Sequence, residues 1–209
     1  MNAEVANEIA SIEQVLEFWF ADTGAGREAI ERRLAVWFGG GPEFDRSCAD
    51  RFAATLAAAA EGRLDDWQAS PRGSLALIVV LDQFSRNIYR GTADAFHQDG
   101  RALAVCREGI ERGRDEELSL IERVFFYMPM QHAEDRHIQA LSVRHFEALA
   151  AEAPESLRDL LEDNARYAHQ HRDIVERFGR FPHRNAMLGR RNTADEEAYL
   201  ANDAPHFGQ

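Results

Sequence analysis

Apolar residues recur every three or four positions through most of the chain, a spacing that predicts amphipathic helices. Two capping boxes, Ser11 with Gln14 and Thr193 with Glu196, mark helix N-termini near either end of the sequence. No β-hairpin signal of the Asn-Gly type separates alternating runs of apolar and polar residues. The pattern therefore predicts an all-α protein.

One segment, Leu75 to Tyr89, departs from the amphipathic pattern because its first half is apolar on every side. Helices of that kind lie inside a protein rather than on its surface. We therefore predict a buried central helix over about 75–90, enclosed by the other helices.

Short joints at Gly91, Gly113 and Pro154 predict that consecutive helices pack as antiparallel hairpins. Two such pairs, 75–112 and 115–152, have the length of a helical repeat. Neither pair shows the tetratricopeptide consensus, so the pattern alone does not assign the chain to that repeat class.

Polar side chains interrupt the predicted central helix in its second half. On a wheel of about 100° per residue, they continue the arc that apolar residues occupy one or two turns earlier. These residues are Asp82, Gln83, Arg86 and Asn87, and the spacing of Asp82 and Arg86 suits an ion pair within the helix. Two interpretations stay open: the helix surfaces or ties its neighbours together here, or the side chains face a ligand.

Two histidines are further candidates: one falls in an apolar stripe, and the other could cap or precede a helix. His171 falls in the apolar stripe of the last long helix, predicted over about 155–179, and is either a hydrogen-bonded core residue or part of a ligand site. His132 precedes Glu134 near the start of another helix, and this pair of residue types suits proton transfer. The spacing His-Glu-x-x-His is missing, so we predict no metal site and no cofactor.

An arginine-rich turn follows the last long helix. Pro182 forces Phe181 out of the helical conformation, so the helix ends before them. The stretch 177–191 contains five arginines, one histidine and no acid. It contributes +5 to the net charge of −12, so the rest of the chain carries −17. The polar residues here are Arg177, Arg180, His183, Arg184 and Asn185. They either hold a carboxylate or phosphate group or cap helix ends.

The composition narrows the classes of function. All 24 basic residues are arginine, which excludes a Schiff-base lysine and the lysine of a P-loop. The net charge of −12 disfavours binding to nucleic acid. A chain of 209 residues is long enough to bury its own core, which predicts one helical domain over 1–209 with its core at about 12–200.

Cysteine usage and hydropathy suggest where the protein resides. Cys48 and Cys106 lack a partner motif, so we expect both to be reduced and buried. The longest apolar run, 75–81, is too short to span a bilayer. Met1–Ala10 lacks the basic and apolar regions of a signal peptide. We therefore predict a cytoplasmic protein without a membrane partner.

Four runs of this sequence resemble the bacterial family known as domain of unknown function 924. They lie at 15–20, 81–92, 127–135 and 177–190, and include Asp82-Gln83-Phe84-Ser85-Arg86-Asn87 and Arg180-Phe181-Pro182-His183-Arg184-Asn185. The resemblance implies an all-helical, tetratricopeptide-like α-α superhelix and no established activity. Ser85 stands where the family's usual run has proline, and Ala133 where it usually has serine.

The polar departures from the apolar pattern fall in the runs that carry this resemblance. We hypothesise that helix packing gathers them around one interior cavity that binds a small anionic molecule or a peptide carboxylate. Arg180 and Arg184 would hold the anionic group, and His132 with Glu134 would transfer protons. The remaining ligand-binding residues would be Asp82, Gln83, Arg86, Asn87, His171, Arg177, His183 and Asn185.

Two other functions stay open from the sequence, and so does the question whether the protein is an enzyme. One is a helical scaffold that binds a partner protein, and the other is a metal-dependent hydrolase. The apolar residues Phe18, Trp19 and Phe20 of the first helix either enter the core or form a homodimer interface.

Overall fold

Helices joined by short turns make up the structure, a computed structural model that describes residues 8–202. Within this range no residue is in a β-strand, which confirms the all-α prediction. The predictions made for Met1–Ala10 lie mostly outside it, and the superhelical arrangement stays a prediction. The α-helices are α1 Ile12–Phe20, α2 Arg27–Gly39, α3 Gly41–Ala60, α4 Pro71–Ile78, α5 Ser85–Ile88, α6 Asp99–Glu111, α7 Leu120–Gln131, α8 Arg136–Glu152, α9 Arg158–Phe178 and α10 Ala194–Leu200.

The predicted central helix is present and buried. It begins at Pro71, earlier than predicted, because Ser70 caps it by accepting a hydrogen bond from the Gly73 N–H at 3.0 Å. Every residue from Leu75 to Leu81 is 0% exposed. The helix packs against α1, α3, α6 and α7, so apolar side chains on all of its faces are covered.

The second half of the central helix is not the regular α-helix that the sequence predicts. Residues Val79–Phe84, between α4 and α5, form a π-helix, in which backbone hydrogen bonds span five residues instead of four. The next three side chains each donate to the carbonyl four residues earlier: Ser85 to Leu81, Arg86 to Asp82 at 2.9 Å, and Asn87 to Gln83 at 2.8 Å. The polar residues that follow the apolar half therefore stabilise the widened turn itself.

Helix α8 runs antiparallel to α7, and α9 runs antiparallel to α8, as the short joints predict. Arg123 at the start of α7 bonds Glu152 at the end of α8 at 2.6 Å. Arg136 at the start of α8 donates to the Glu176 carbonyl near the end of α9 at 3.1 Å. Pro129 lies inside α7 without ending it: the helix continues to Gln131, although proline has no backbone N–H to donate.

The aromatic face of α1 lies in the core of the chain. Trp19 and Phe20 are buried, with the Trp19 ring 5.5 Å from Phe125. Phe18 packs on Phe52 with ring centroids 4.8 Å apart. Cys48 and Cys106 are free and buried, as predicted. None of the helices described here combines the length and apolar character that crossing a membrane requires.

Candidate functional site

A buried carboxylate and a histidine form the centre of the candidate site. Asp82, 0% exposed in the π-helix, accepts hydrogen bonds from His132 Nδ1 at 2.7 Å and from Gln83 Nε2 at 2.6 Å. The predicted ion pair with Arg86 is present, with an N–O distance of 3.1 Å. Because a carboxylate only accepts, the neutral imidazole carries its proton on Nδ1. The Nε2 atom has no hydrogen-bond partner within residues 8–202, and the His132 side chain is 12% exposed.

The chain positions this pair at two helix features. Asp82 is part of the π-helix, a local distortion that often marks functional positions in helices. His132 follows the last residue of α7, and its N–H caps that helix by donating to the Met128 carbonyl at 3.1 Å. The sequence places these residues fifty positions apart, and only the packing of α7 against the central helix joins them.

Two arginines share a second carboxylate, Asp99, beside this pair. Arg86 donates a hydrogen bond to Asp99 Oδ2 at 3.1 Å, and its guanidinium lies 2.9 Å from Oδ1 as an ion pair. Arg184 donates to Asp99 at 3.2 Å and to the His132 carbonyl at 3.0 Å. The Phe96 ring lies 5.9 Å from the Arg86 guanidinium and 4.7 Å from that of Arg184, within cation–π range. This arrangement holds two positive charges around one shared acid.

The charges keep Asp82 ionised and His132 neutral. Burial raises the pKa of Asp82, but the Arg86 guanidinium and the bonded His132 lower it by more. The net pKa of Asp82 is therefore well below its usual range. Burial and then the charge of Arg86 lower the pKa of His132, against the opposing effect of Asp82. Burial and the nearby Arg86 lower the pKa of Arg184 to about 10, so it stays charged near neutral pH.

His171 lies next to this centre but is bonded to its own helix. Its ring is 6.4 Å from the His132 ring and 5.6 Å from Phe181, centroid to centroid. Its Nδ1–H donates to the Tyr167 carbonyl at 2.7 Å. Burial lowers the pKa of His171 to about 3, so this imidazole is neutral under ordinary conditions.

The structure does not join Glu134 to His132. Glu134 binds the Arg190 guanidinium through both oxygens, at 2.5 and 2.9 Å, and accepts the Phe181 N–H at 2.7 Å. It lies in the turn before α8, whose N-cap is Asp135, rather than in the first helical turn. Burial raises the pKa of Glu134, but its bonds to Arg190 and the Phe181 N–H bring the net pKa below the ordinary range. The carboxylate beside His132 is therefore Asp82.

The other predicted residues lie further from the pair. Arg180 bonds Glu196 at 2.6 and 2.8 Å, and Arg177 stacks on Phe178 with its guanidinium 4.6 Å from the ring centroid. The remaining members belong to local networks: Asn87 accepts from Arg90 at 3.1 Å, Asn185 accepts from Arg190 at 2.8 Å, and the His183 ring lies 5.5 Å from that of Phe181. Side chains of the arginine-rich turn thus contact two regions: the cluster around Asp82 and His132, and the ends of α9 and α10.

Sequence reasoning missed two residues that organise the site. Asp99 bridges Arg86 and Arg184, yet in the sequence it is an ordinary acid in the first turn of α6. Arg190 joins Glu134 to the arginine-rich turn, and its only signal was its place in that turn. Both act through contacts between distant segments, which helical periodicity does not reveal.

Other features of the described surface lie away from this cluster. A groove of about 670 Å³ is lined by residues 9–13, Trp67, residues 70–72 and Glu117. Within residues 8–202 no group of three or more His, Cys, Asp or Glu side chains is arranged to hold a metal ion.

Comparison with known proteins identifies similar chains without identifying an activity. A family model described as "Bacterial protein of unknown function (DUF924)" matches residues 15–204. A solved structure, a protein of unknown function, ATU0120, from Agrobacterium tumefaciens, is 39% identical, with a TM-score of 0.74. The match covers 90% of this chain and 96% of that one. Among the curated proteins, none matches this chain.

Proposed function

This chain belongs to the bacterial DUF924 family, and for this member we propose that the cluster around Asp82 and His132 binds a small anionic molecule or a peptide carboxylate and exchanges a proton with it. The observation that carries the proposal is the 2.7 Å hydrogen bond between His132 Nδ1 and Asp82. A buried carboxylate on Nδ1 fixes the imidazole tautomer, stabilises the imidazolium that forms, and leaves Nε2 as the base.

The pKa directions suit this role. A base has to be neutral before it takes up a proton, and burial with the charge of Arg86 keeps the pKa of His132 below its ordinary value. Asp82 stays ionised because Arg86 compensates the cost of burying it. In the proposed step His132 Nε2 removes a proton from the bound molecule, and Asp82 balances the new charge.

The preference for an anion follows from Arg184. Its side chain is nearly buried, yet its Nε has no hydrogen-bond partner in the part of the chain that is described. It shares Asp99 with Arg86, which also pairs with Asp82, so Arg184 has no carboxylate to itself. An added carboxylate or phosphate oxygen would satisfy the open donor of Arg184. Arg184 would hold the anionic group without Arg180, because Arg180 is already bonded to Glu196.

The test uses nitrogen-15 NMR of the histidine rings, with His132→Gln to assign the signal. We expect a neutral ring at pH 7 with the proton on Nδ1, and a pKa below the ordinary 6.5. Titration with inorganic phosphate or acetate should shift the His132 and Arg184 Nε signals together. Arg184→Lys should weaken this binding, whereas Arg177→Lys, outside the cluster, should not. A proton on Nε2 in the wild type, or anion binding unaffected by Arg184→Lys, would contradict the proposal.

A further inference from the structure

Residues 180–192, called the covering segment here, lie against both histidines of the candidate site. Phe181, fully buried, packs on the His171 ring at 5.6 Å. Arg184, also buried, donates to the His132 carbonyl at 3.0 Å. The segment therefore packs against the His132 backbone and against the His171 ring beside it.

The covering segment is attached to the rest of the protein mainly by charges. Its Arg190 side chain and Phe181 N–H bond Glu134, Arg184 bonds Asp99 and the His132 carbonyl, and Arg180 bonds Glu196 of α10. Of its buried apolar residues Phe181 and Pro182, Phe181 belongs to a small cluster with Ile174 and Val175 of α9, separate from the main core. Segments with few apolar contacts to the core open at a lower free energy than the whole protein.

A glycine in the left-handed region lies just before the covering segment and another lies within it. Gly179 ends α9 with φ 72°, and Gly189 precedes Arg190 with φ 63°. Residues with side chains rarely adopt these angles, so glycine lets the chain reverse direction on either side of the part that contains Phe181 and Arg184.

We propose that the covering segment is a gate, held shut by the Glu134–Arg190 ion pair, which opens as a unit to admit a ligand to His132. This inference rests on the proposed function, because a gate is needed only if His132 meets a ligand. When Glu134 moves away, Phe181 loses its N–H bond to that carboxylate, and the bonds of Arg184 to Asp99 and the His132 carbonyl and its contact with the Phe96 ring remain to be broken. Local opening then exposes His132 without disturbing the central helix.

Hydrogen exchange in the wild-type protein tests the gate directly. The amides of Leu188 and Arg190 bond within the segment, to the carbonyls of Arg184 and Asn185 at 3.0 and 2.9 Å. We expect them to exchange at least about a hundredfold faster, after correction for intrinsic rates, than the amide of Ile78 in the buried central helix. Equal protection of these amides would mean that the segment opens only when the whole protein unfolds, which overturns the gate.

A matched pair of variants tests the latch. Arg190→Gln removes the charge that binds Glu134, while Arg191→Gln removes the same charge from an exposed neighbouring side chain. In Arg190→Gln we expect Leu188 exchange and carbethoxylation of His132 by diethyl pyrocarbonate to rise about tenfold or more, with Ile78 exchange unchanged. Arg191→Gln should stay within about twofold of wild type. Glu134→Gln, which breaks the pair from the other side, should repeat the result.

The outcomes separate the gate from the proposed function. If His132 reacts equally fast in wild type, Arg190→Gln and Glu134→Gln, the gate is wrong, and the proton-transfer role stands on the NMR experiment. Faster Leu188 exchange without faster His132 modification also overturns the gate, because the opening then leaves His132 covered. A parallel rise in Ile78 exchange would show global destabilisation and would count against it as well.

Discussion

At the scale of single residues, Gly109 shows how tightly the main core is filled. It lies within α6, and a Cβ atom there would stand 2.5 Å from Cζ of Phe126. The Phe126 ring is fully buried and is not free to move aside. Glycine is needed at this position for space rather than for its backbone freedom.

We predict that Gly109→Ala destabilises the protein by about 1–3 kcal/mol, because overpacking of a filled core forces strain. Gly100→Ala in the same helix is the control, since no atom lies within 4 Å of a Cβ placed there. That change should be neutral or stabilising by up to about 1 kcal/mol, through the better helix propensity of alanine. Urea unfolding of both variants measures the difference. Equal free energies of unfolding would contradict this view of the core.

At the scale of the element, the π-helix explains why polar residues interrupt a buried helix. The Ser85 hydroxyl donates to the Leu81 carbonyl, and both residues are 0% exposed. A buried carbonyl without a donor is costly, so this hydroxyl contributes to the stability of the widened turn.

We predict that Ser85→Ala lowers the free energy of unfolding by about 1–2 kcal/mol, because it leaves the Leu81 carbonyl short of a donor. Ser142→Ala is a matched control: Ser142 is also 0% exposed, but its hydroxyl has no hydrogen-bond partner within residues 8–202. Removing that hydroxyl should be neutral or stabilising. Denaturant unfolding with a check on helix content tests the pair, and a larger loss in Ser142→Ala than in Ser85→Ala would refute the argument.

At the scale of the whole molecule, several buried or bonded groups make stability depend on pH in the same direction. Burial lowers the pKa of His171 to about 3, and the pKa values of Asp82, Glu134 and Glu196 are also below their ordinary values. In each case the unfolded chain binds a proton at a higher pH than the folded protein does. Acid therefore favours the unfolded state.

We predict that stability falls as pH drops below about 6.5, where the unfolded His171 takes up a proton and the folded one does not. Between that pH and about 3 this imidazole contributes a loss of a few kcal/mol, and the carboxylates add to it below about 4.5. His171→Phe keeps an aromatic ring against Phe181 and should reduce the slope between pH 6 and 4. Urea unfolding at several pH values measures it. An unchanged slope in His171→Phe would show that other groups cause the acid sensitivity.

The candidate site divides clearly between what the sequence predicted and what it missed. Asp82 with Arg86 followed from spacing within one helix, and the extended Phe181 before Pro182 followed from proline sterics. The partner of His132 did not follow, because the nearest acid in sequence, Glu134, bonds Arg190 instead. Closeness in sequence does not predict which side chains pair where a turn directs adjacent side chains to different segments of the chain.

The local pattern of the chain determined its helices, its caps and the burial of its central helix, because helical periodicity and hydrogen bonds within a few residues act over short distances. Only the tertiary structure decided the π-helix at Val79–Phe84 and the pairing of Asp82 with His132. It also decided that Asp99 joins Arg86 to Arg184. These features depend on how burial and charge are balanced among segments that meet only after helices pack. A local pattern contains no information about that balance.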